Sequence, residues 1–147
     1  ISVLVIDDVK MNRLMLRRRM QKAIAPNATI IEACTGEQAL AVCAKKTFDV
    51  IIVDQYMEEA GGVMVGTDVV FAMRRQRIDS IIIGCSGNDM DDLFKEAGAD
   101  WVWKKPMPSN SIIVKQLRSG LMKRKAANQY ATSKAPLAND NIDAAAP

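Results

Sequence analysis

At 147 residues, 49% hydrophobic and 25% charged, the chain has room for one globular domain with a sizeable core and not for a second. Its formal net charge of +3 is dispersed over several segments and favours neither nucleic acid nor a membrane surface as a direct partner. The lack of histidine excludes a phosphohistidine donor within the chain, and Cys34, Cys43 and Cys85 lie at no metal-ligand or disulfide-framework spacing, so they read as reduced, buried small hydrophobes.

Short β-branched runs at Val3 to Ile6, Thr29 to Ile31, Val50 to Val53, Ile81 to Ile83 and Trp101 to Trp103 each precede a stretch of helical periodicity. The first helical stretch aligns Asn12, Leu16, Met20 and Ala23 on one stripe, with Arg17, Arg18 and Arg19 turned mostly to solvent. In the second, Thr35 and Gln38 form a capping box ahead of Ala39, Leu40 and Cys43. Thr67 is the predicted cap of the third, before Val70 and Met73. Asn88 is that of the fourth, which carries Asp91 and Asp92 in its first turn and stops at Gly98. Ser109 opens the fifth, where Ile113, Leu117 and Leu121 repeat every four residues.

From about Ala126 this periodicity gives way to Ala, Asn, Ser and Pro, which predicts a domain over residues 1–125 and a flexible tail or linker over 126–147. With a strand beginning at Ile1 and such a tail behind it, the sequence reads as a domain excised from a longer polypeptide. No apolar run approaches the roughly 20 residues of a membrane span, and no charged leader precedes a cleavable segment, so a soluble, cytoplasmic domain is expected.

Apolar strands without in/out alternation belong to a sheet covered on both faces, and strand-helix-strand crossovers make successive strands parallel. The predicted fold is therefore a three-layer α/β domain. In such sheets ligands bind beyond the carboxyl ends of the strands. Four polar features fall there: Asp7-Asp8 after the first strand, Asp54 after the third, Ser86 after the fourth and Lys105 after the fifth. Three carboxylates in one cleft repel one another unless a cation sits among them, and an all-oxygen set suits Mg²⁺ (or Mn²⁺) rather than zinc. With that charge neutralised, Asp54 can attack phosphorus, while Lys105 and the Ser86 hydroxyl bind the phosphoryl oxygens.

These residues, with their surroundings, resemble the response-regulator receiver family over roughly residues 2–125. The matching pieces are Val-Leu-Val-Ile-Asp-Asp at 3–8 with Asn12-Arg13 behind it, Phe-Asp-Val-Ile-Ile-Val-Asp at 48–54 with Met57, Gly-Cys-Ser-Gly at 84–87, and Ala-Gly-Ala-Asp at 97–100 leading to Lys105-Pro106. The Asp-Asp followed by Asn-Arg resembles receivers attached to hybrid sensor kinases more than stand-alone motility switches. The resemblance implies a flavodoxin-like, doubly wound (βα)5 fold with a five-stranded parallel sheet. It also implies that Asp54 is the phosphoacceptor, that Asp8 ligates Mg²⁺ directly with Asp7 assisting through water, and that the Tyr56 backbone carbonyl is a further ligand. Ser86 and Lys105 would engage the phosphoryl group, the Lys105-Pro106 bond would be cis, and phosphorylation would bias a surface built from the fourth helix, fifth strand and fifth helix. The implied partners are a sensor histidine kinase or histidine phosphotransfer protein as donor, and a downstream effector or attached output domain. Such a domain catalyses its own phosphorylation and dephosphorylation but is a signalling switch rather than a turnover enzyme.

The sequence departs from the family pattern twice. After Met57, the residues Glu58 to Val65 delay the expected glycine to Gly66, making that loop about four residues longer. Glu58 or Glu59 is thereby brought near the predicted metal. Three residues before the lysine, where the family places Tyr or Phe, stands Val102, and strand alternation puts the flanking Trp101 and Trp103 on the opposite face. Either a tryptophan replaces the usual aromatic through a local shift, or the output relies on other movements and the tryptophans serve as core or interface anchors. An aspartyl-nucleophile phosphatase of the haloacid-dehalogenase type is disfavoured because Tyr56 stands where its second Asp belongs, and a nucleotide-binding domain because no P-loop or Gly-x-Gly-x-x-Gly follows the first strand. The remaining alternative is a degenerate receiver acting as a phosphorylation-independent protein-binding module.

Overall fold

The β-branched runs form five parallel strands, and each is followed by a helix that packs back onto the sheet. The computed structural model describes residues 1–134. In chain order the elements are β1 (Ser2–Ile6), α1 (Lys10–Ala23), β2 (Thr29–Ala33), α2 (Gly36–Cys43), β3 (Val50–Asp54), α3 (Gly66–Arg75), β4 (Ile81–Ser86), α4 (Asp91–Ala97), β5 (Trp101–Lys104) and α5 (Asn110–Lys134). The strand order is β2-β1-β3-β4-β5, so the chain reverses its winding direction between β1 and β3, and the crevice there opens at the carboxyl ends of both.

Alternate residues of each strand feed two separate cores, which explains the unbroken apolar runs. Val3, Val5, Val50, Ile52, Ile81 and Ile83 face α1 and α5, where they meet Leu16, Met20, Ile113 and Leu117. Leu4, Ile6, Ile51, Val53 and Ile82 face α2, α3 and α4, meeting Ala39, Val70, Met73 and Phe94. Each of the fully buried Val, Leu, Ile, Met and Phe side chains among these contributes about 1.5–3 kcal/mol by leaving water. Two glycines permit the close approaches this layering needs. A Cβ on Gly84 would lie 2.4 Å from the Phe94 ring, and one on Gly66 would lie 2.3 Å from the backbone oxygen of Asp54.

Helix ends agree with expectation at some positions and differ at others. Thr35 caps α2, its side chain accepting from the Gln38 N–H, although the Gln38 side chain answers to the Cys34 N–H rather than to Thr35 itself. The Ser109 carbonyl accepts from Ile113 N–H at the start of α5, as expected. Thr67 does not cap α3. The helix starts one residue before it, at Gly66, and the Thr67 N–H is satisfied by the Gln55 side chain at 3.1 Å. Asn88 lies three residues ahead of α4, whose cap position is Met90, and its N–H instead donates to the Ser86 hydroxyl.

The fifth helix does not fade at Ala126. It continues to Lys134, because alanines such as Ala126, Ala127 and Ala131 sustain a helix by intrinsic propensity without an apolar stripe. The remainder of the expected tail, residues 135–147, lies outside the described residues. Among the described residues no helix is long and apolar enough to cross a membrane.

Candidate functional site

The crevice beyond β1 and β3 collects the polar residues singled out from the sequence. Asp7 and Asp8 leave the end of β1, Asp54 is the last residue of β3, Ser86 the last of β4, and Lys105 follows β5. Asp7, Asp54 and Ser86 are buried, at 1%, 8% and 2% exposure, so their polar atoms face the crevice rather than bulk water. One carboxylate oxygen from each of Asp7, Asp8 and Asp54 lies within 4.8 Å of the others.

Each carboxylate is oriented by its own donor. The Val9 N–H and the Asn12 side chain donate to Asp7 at 2.9 and 3.1 Å, and the Tyr56 N–H donates to Asp54 Oδ2 at 3.2 Å. The Glu59 N–H donates to Asp8 Oδ2 at 2.8 Å. Opposite these, Lys105 Nζ lies 2.5 Å from Asp54 Oδ1 and 3.8 Å from Asp7 Oδ2. The Lys105-Pro106 peptide bond is cis, as expected.

Three carboxylates against one ammonium leave the site short of positive charge. Burial pushes the Asp7 carboxyl above its ordinary value of 3.8, and the charge of Asp54 adds to that, against the hydrogen bond from Val9. Burial alone would lower the Lys105 ammonium, but its hydrogen bond to Asp54 and the charges of Asp54 and Asp7 outweigh it and hold it above its ordinary value of 10.5. The donor set is entirely oxygen and dominated by carboxylates, with no histidine and no cysteine among the converging groups, which is the chemistry a hard divalent cation takes. The thiol of Cys85, buried beside Asp54 in the sheet, is pushed upward by burial and stays neutral.

Glu58 and Glu59 lie along the same cleft, of about 410 Å³, but outside the converging group, and both are exposed. Glu59 reaches the site through its backbone. The two tryptophans stay on the α5 side of the sheet. Trp103 is buried with its indole N–H donating to Gln116 at 2.8 Å, and Trp101 packs over Gly120. Val102 joins the opposite core, so no local shift places an aromatic ring at the position the family reserves for one.

Several site residues escaped the sequence reading of roles. Arg13 is buried, donates to the Asp7 carbonyl at 2.7 Å and pairs with Glu32, which fixes the turn that carries both acidic residues. Gln55, buried at 3% exposure, ties the end of β3 to the start of α3. Glu37, in the first turn of α2, accepts from the Val63 and Met64 N–H groups at 3.0 Å each. The only advance signal of these roles was a charged or amide side chain next to a motif.

Residues 3–117 match the family model described as the response regulator receiver domain. The two-component response regulator ORR42 of Oryza sativa subsp. japonica is 29% identical over 104 residues, covering 68% of this chain and 73% of that protein. Among solved structures, the chemotaxis response regulator CheY4 of Vibrio cholerae is 28% identical with a TM-score of 0.68, over 81% of this chain and 97% of that one. The receiver domain of the Francisella response regulator 1452 is similar in fold, with a TM-score of 0.71 at 21% identity over 84% of this chain and 98% of its own.

Proposed function

The chain belongs to the response regulator receiver domain family, and on that premise we propose that Asp54 is its phosphoacceptor, served by Mg²⁺ (or Mn²⁺) at Asp7, Asp8, Asp54 and the Tyr56 backbone carbonyl. The observation that carries this reading is the convergence of three carboxylates and one lysine at the β1/β3 crevice, with Asp54 held between Lys105 and the Tyr56 N–H. When bound, the cation neutralises the carboxylates and the incoming phosphoryl oxygens.

An Asp54 oxygen then forms the new O–P bond as the N–P bond of a phosphohistidine breaks, and the leaving ring nitrogen keeps the electron pair and takes up a proton from solvent to give neutral imidazole. Lys105 is close enough to exchange its carboxylate contact for a phosphoryl oxygen. The Ser86 oxygen accepts from the Asn88 N–H at 3.1 Å, so its own hydrogen is available to donate to a second phosphoryl oxygen. Tyr56, 46% exposed, flanks the approach of water to Asp54.

The donor in this reading is a sensor histidine kinase or a histidine phosphotransfer protein in the cytoplasm. An apolar cleft of about 580 Å³ beside Asp54, lined by Met15, Leu16, Pro106 and Met107 together with Arg18 and Arg19, offers that donor a docking surface. The signal leaves through the surface of α4, β5 and α5 to an effector or attached output domain, with residues 1–125 as the receiver and 126–147 as the connecting segment. Because Val102 replaces the usual aromatic, Ser86 communicates with that surface through backbone and packing rather than through a ring rotamer.

The test is intact-mass and phosphate-affinity gel analysis after incubation with acetyl phosphate or a phosphohistidine donor, with and without Mg²⁺. A metal-dependent, base-labile adduct on the wild type that is lost in Asp54→Asn supports the reading. Failure of both donors on folded protein would instead favour a phosphorylation-independent binding module.

A further inference from the structure

The longer loop between Met57 and Gly66 is fastened at two ends. Near its start, the Gly61 N–H closes a turn onto the Glu58 carbonyl, with Gly61 at φ +77°, and the Glu59 N–H is delivered to Asp8 Oδ2. Near its end, two consecutive N–H groups, those of Val63 and Met64, converge on one oxygen of Glu37, and Met64 packs against Gly36 next to it. Glu37 is ionised across the neutral range, held below its ordinary value of 4.5 by its own N–H and those of Met64 and Val63.

From these contacts we propose that the inserted segment is a strap that orients the Asp8 carboxylate, and that Glu37 is the positioning residue which anchors it. The inference rests on the reading of Asp8 as a cation ligand given above. A ligating carboxylate is aimed by the donors on its outer side, and removing such a partner weakens metal binding although the ligand itself remains. Here the donor is a backbone amide on a glycine-containing segment that would otherwise sample many conformations. Glu37 removes that freedom by holding the far end of the segment to α2. The strap acts through N–H groups, so the side chain of Val63, 89% exposed, takes no part.

The experiment is calorimetric Mg²⁺ titration of the full chain as wild type, Glu37→Ala and Glu37→Gln, with amide hydrogen exchange at Glu59 and thermal unfolding on the same samples. Glu37→Ala is expected to bind Mg²⁺ about tenfold more weakly, with faster exchange at the Glu59 amide and little change in melting temperature. Glu37→Gln keeps an acceptor oxygen and is expected to bind close to the wild type. Equal affinity in wild type and Glu37→Ala would overturn the strap. An equal loss in both variants would overturn it too, by marking Glu37 as a charge acting at a distance. A folded wild type that binds no Mg²⁺ at all would instead remove the cation reading of the acidic cluster, and the role of the strap with it.

Discussion

The two ends of the sheet carry similar residues arranged to opposite effect. At the amino end, Arg74 donates to the carbonyls of Gly98, Ile78 and Ser80 and pairs with Asp100, while Arg124 donates to the Asp49 carbonyl and pairs with Asp79. Asp49 in turn receives the N–H of Ser2, and Ser80 donates to the Phe48 carbonyl. The guanidiniums of Arg74 and Arg124 are thus answered largely within the fold, Arg124 Nε being a buried atom left without a partner. At the carboxyl end three carboxylates face a single lysine. Charge satisfied internally holds loops in place, whereas charge left in excess in a buried crevice is held ready for something that arrives from outside.

The largest expected effect comes from breaking the satisfied end. Arg74→Ala removes three charge-assisted hydrogen bonds to carbonyls and is expected to cost about 3 kcal/mol of stability in denaturant unfolding. The phosphorylation chemistry should persist in whatever fraction remains folded. A variant as stable as the wild type would erase the contrast between the two ends.

Acid titration of stability sharpens the contrast further, because Asp7 and Glu32 carry opposite signs. Burial, with the charge of Asp54, raises Asp7, so the folded metal-free domain binds that proton more tightly than the unfolded chain. Its contribution to stability is present below 3.8 and is lost as pH rises through the higher folded value. Glu32 is lowered: burial opposes this, but its bonds to Arg17 and Arg13 win. Its contribution is present above 4.5 and is lost as pH falls through the lower folded value. In metal-free buffer, Asp7→Asn should therefore abolish a gain in stability on mild acidification, and Glu32→Gln should abolish part of the loss at stronger acidity. Parallel pH profiles for both variants would contradict these assignments.

A smaller effect is expected at the rim of the open end. Under the proposed mechanism, Tyr56→Asn exchanges a bulky ring for a small polar side chain beside Asp54, and should speed dephosphorylation several-fold without altering the melting temperature. Unchanged phosphate lifetime would mean that the ring does not gate that water.

The same contrast explains which parts were legible in the sequence. The strands were, because Val3 to Ile6, Val50 to Val53 and Ile81 to Ile83 are buried on both faces and so carry unbroken apolar runs. The excess polar groups were also legible, since Asp7, Asp8, Asp54, Ser86 and Lys105 each directly follow or end a strand. What stayed hidden were residues whose partners are distant in sequence. Arg13 meets Glu32 across 19 positions, Glu37 meets Val63 across 26, and Gln55 takes the capping role that local pattern assigned to Thr67. The continuation of α5 to Lys134 was missed for a different reason: an exposed Ala-rich helix has no periodicity to announce it.

The central claim is that the unbalanced end of the sheet receives its phosphoryl group on Asp54, and it is tested most directly by locating the adduct. Phosphorylation in the presence of Mg²⁺, followed by borohydride reduction and peptide mass mapping, converts an aspartyl phosphate to homoserine at the labelled position. Conversion at position 54 alone is the expected result. Conversion at position 7 or 8, or at a residue elsewhere, would contradict the assignment of the nucleophile.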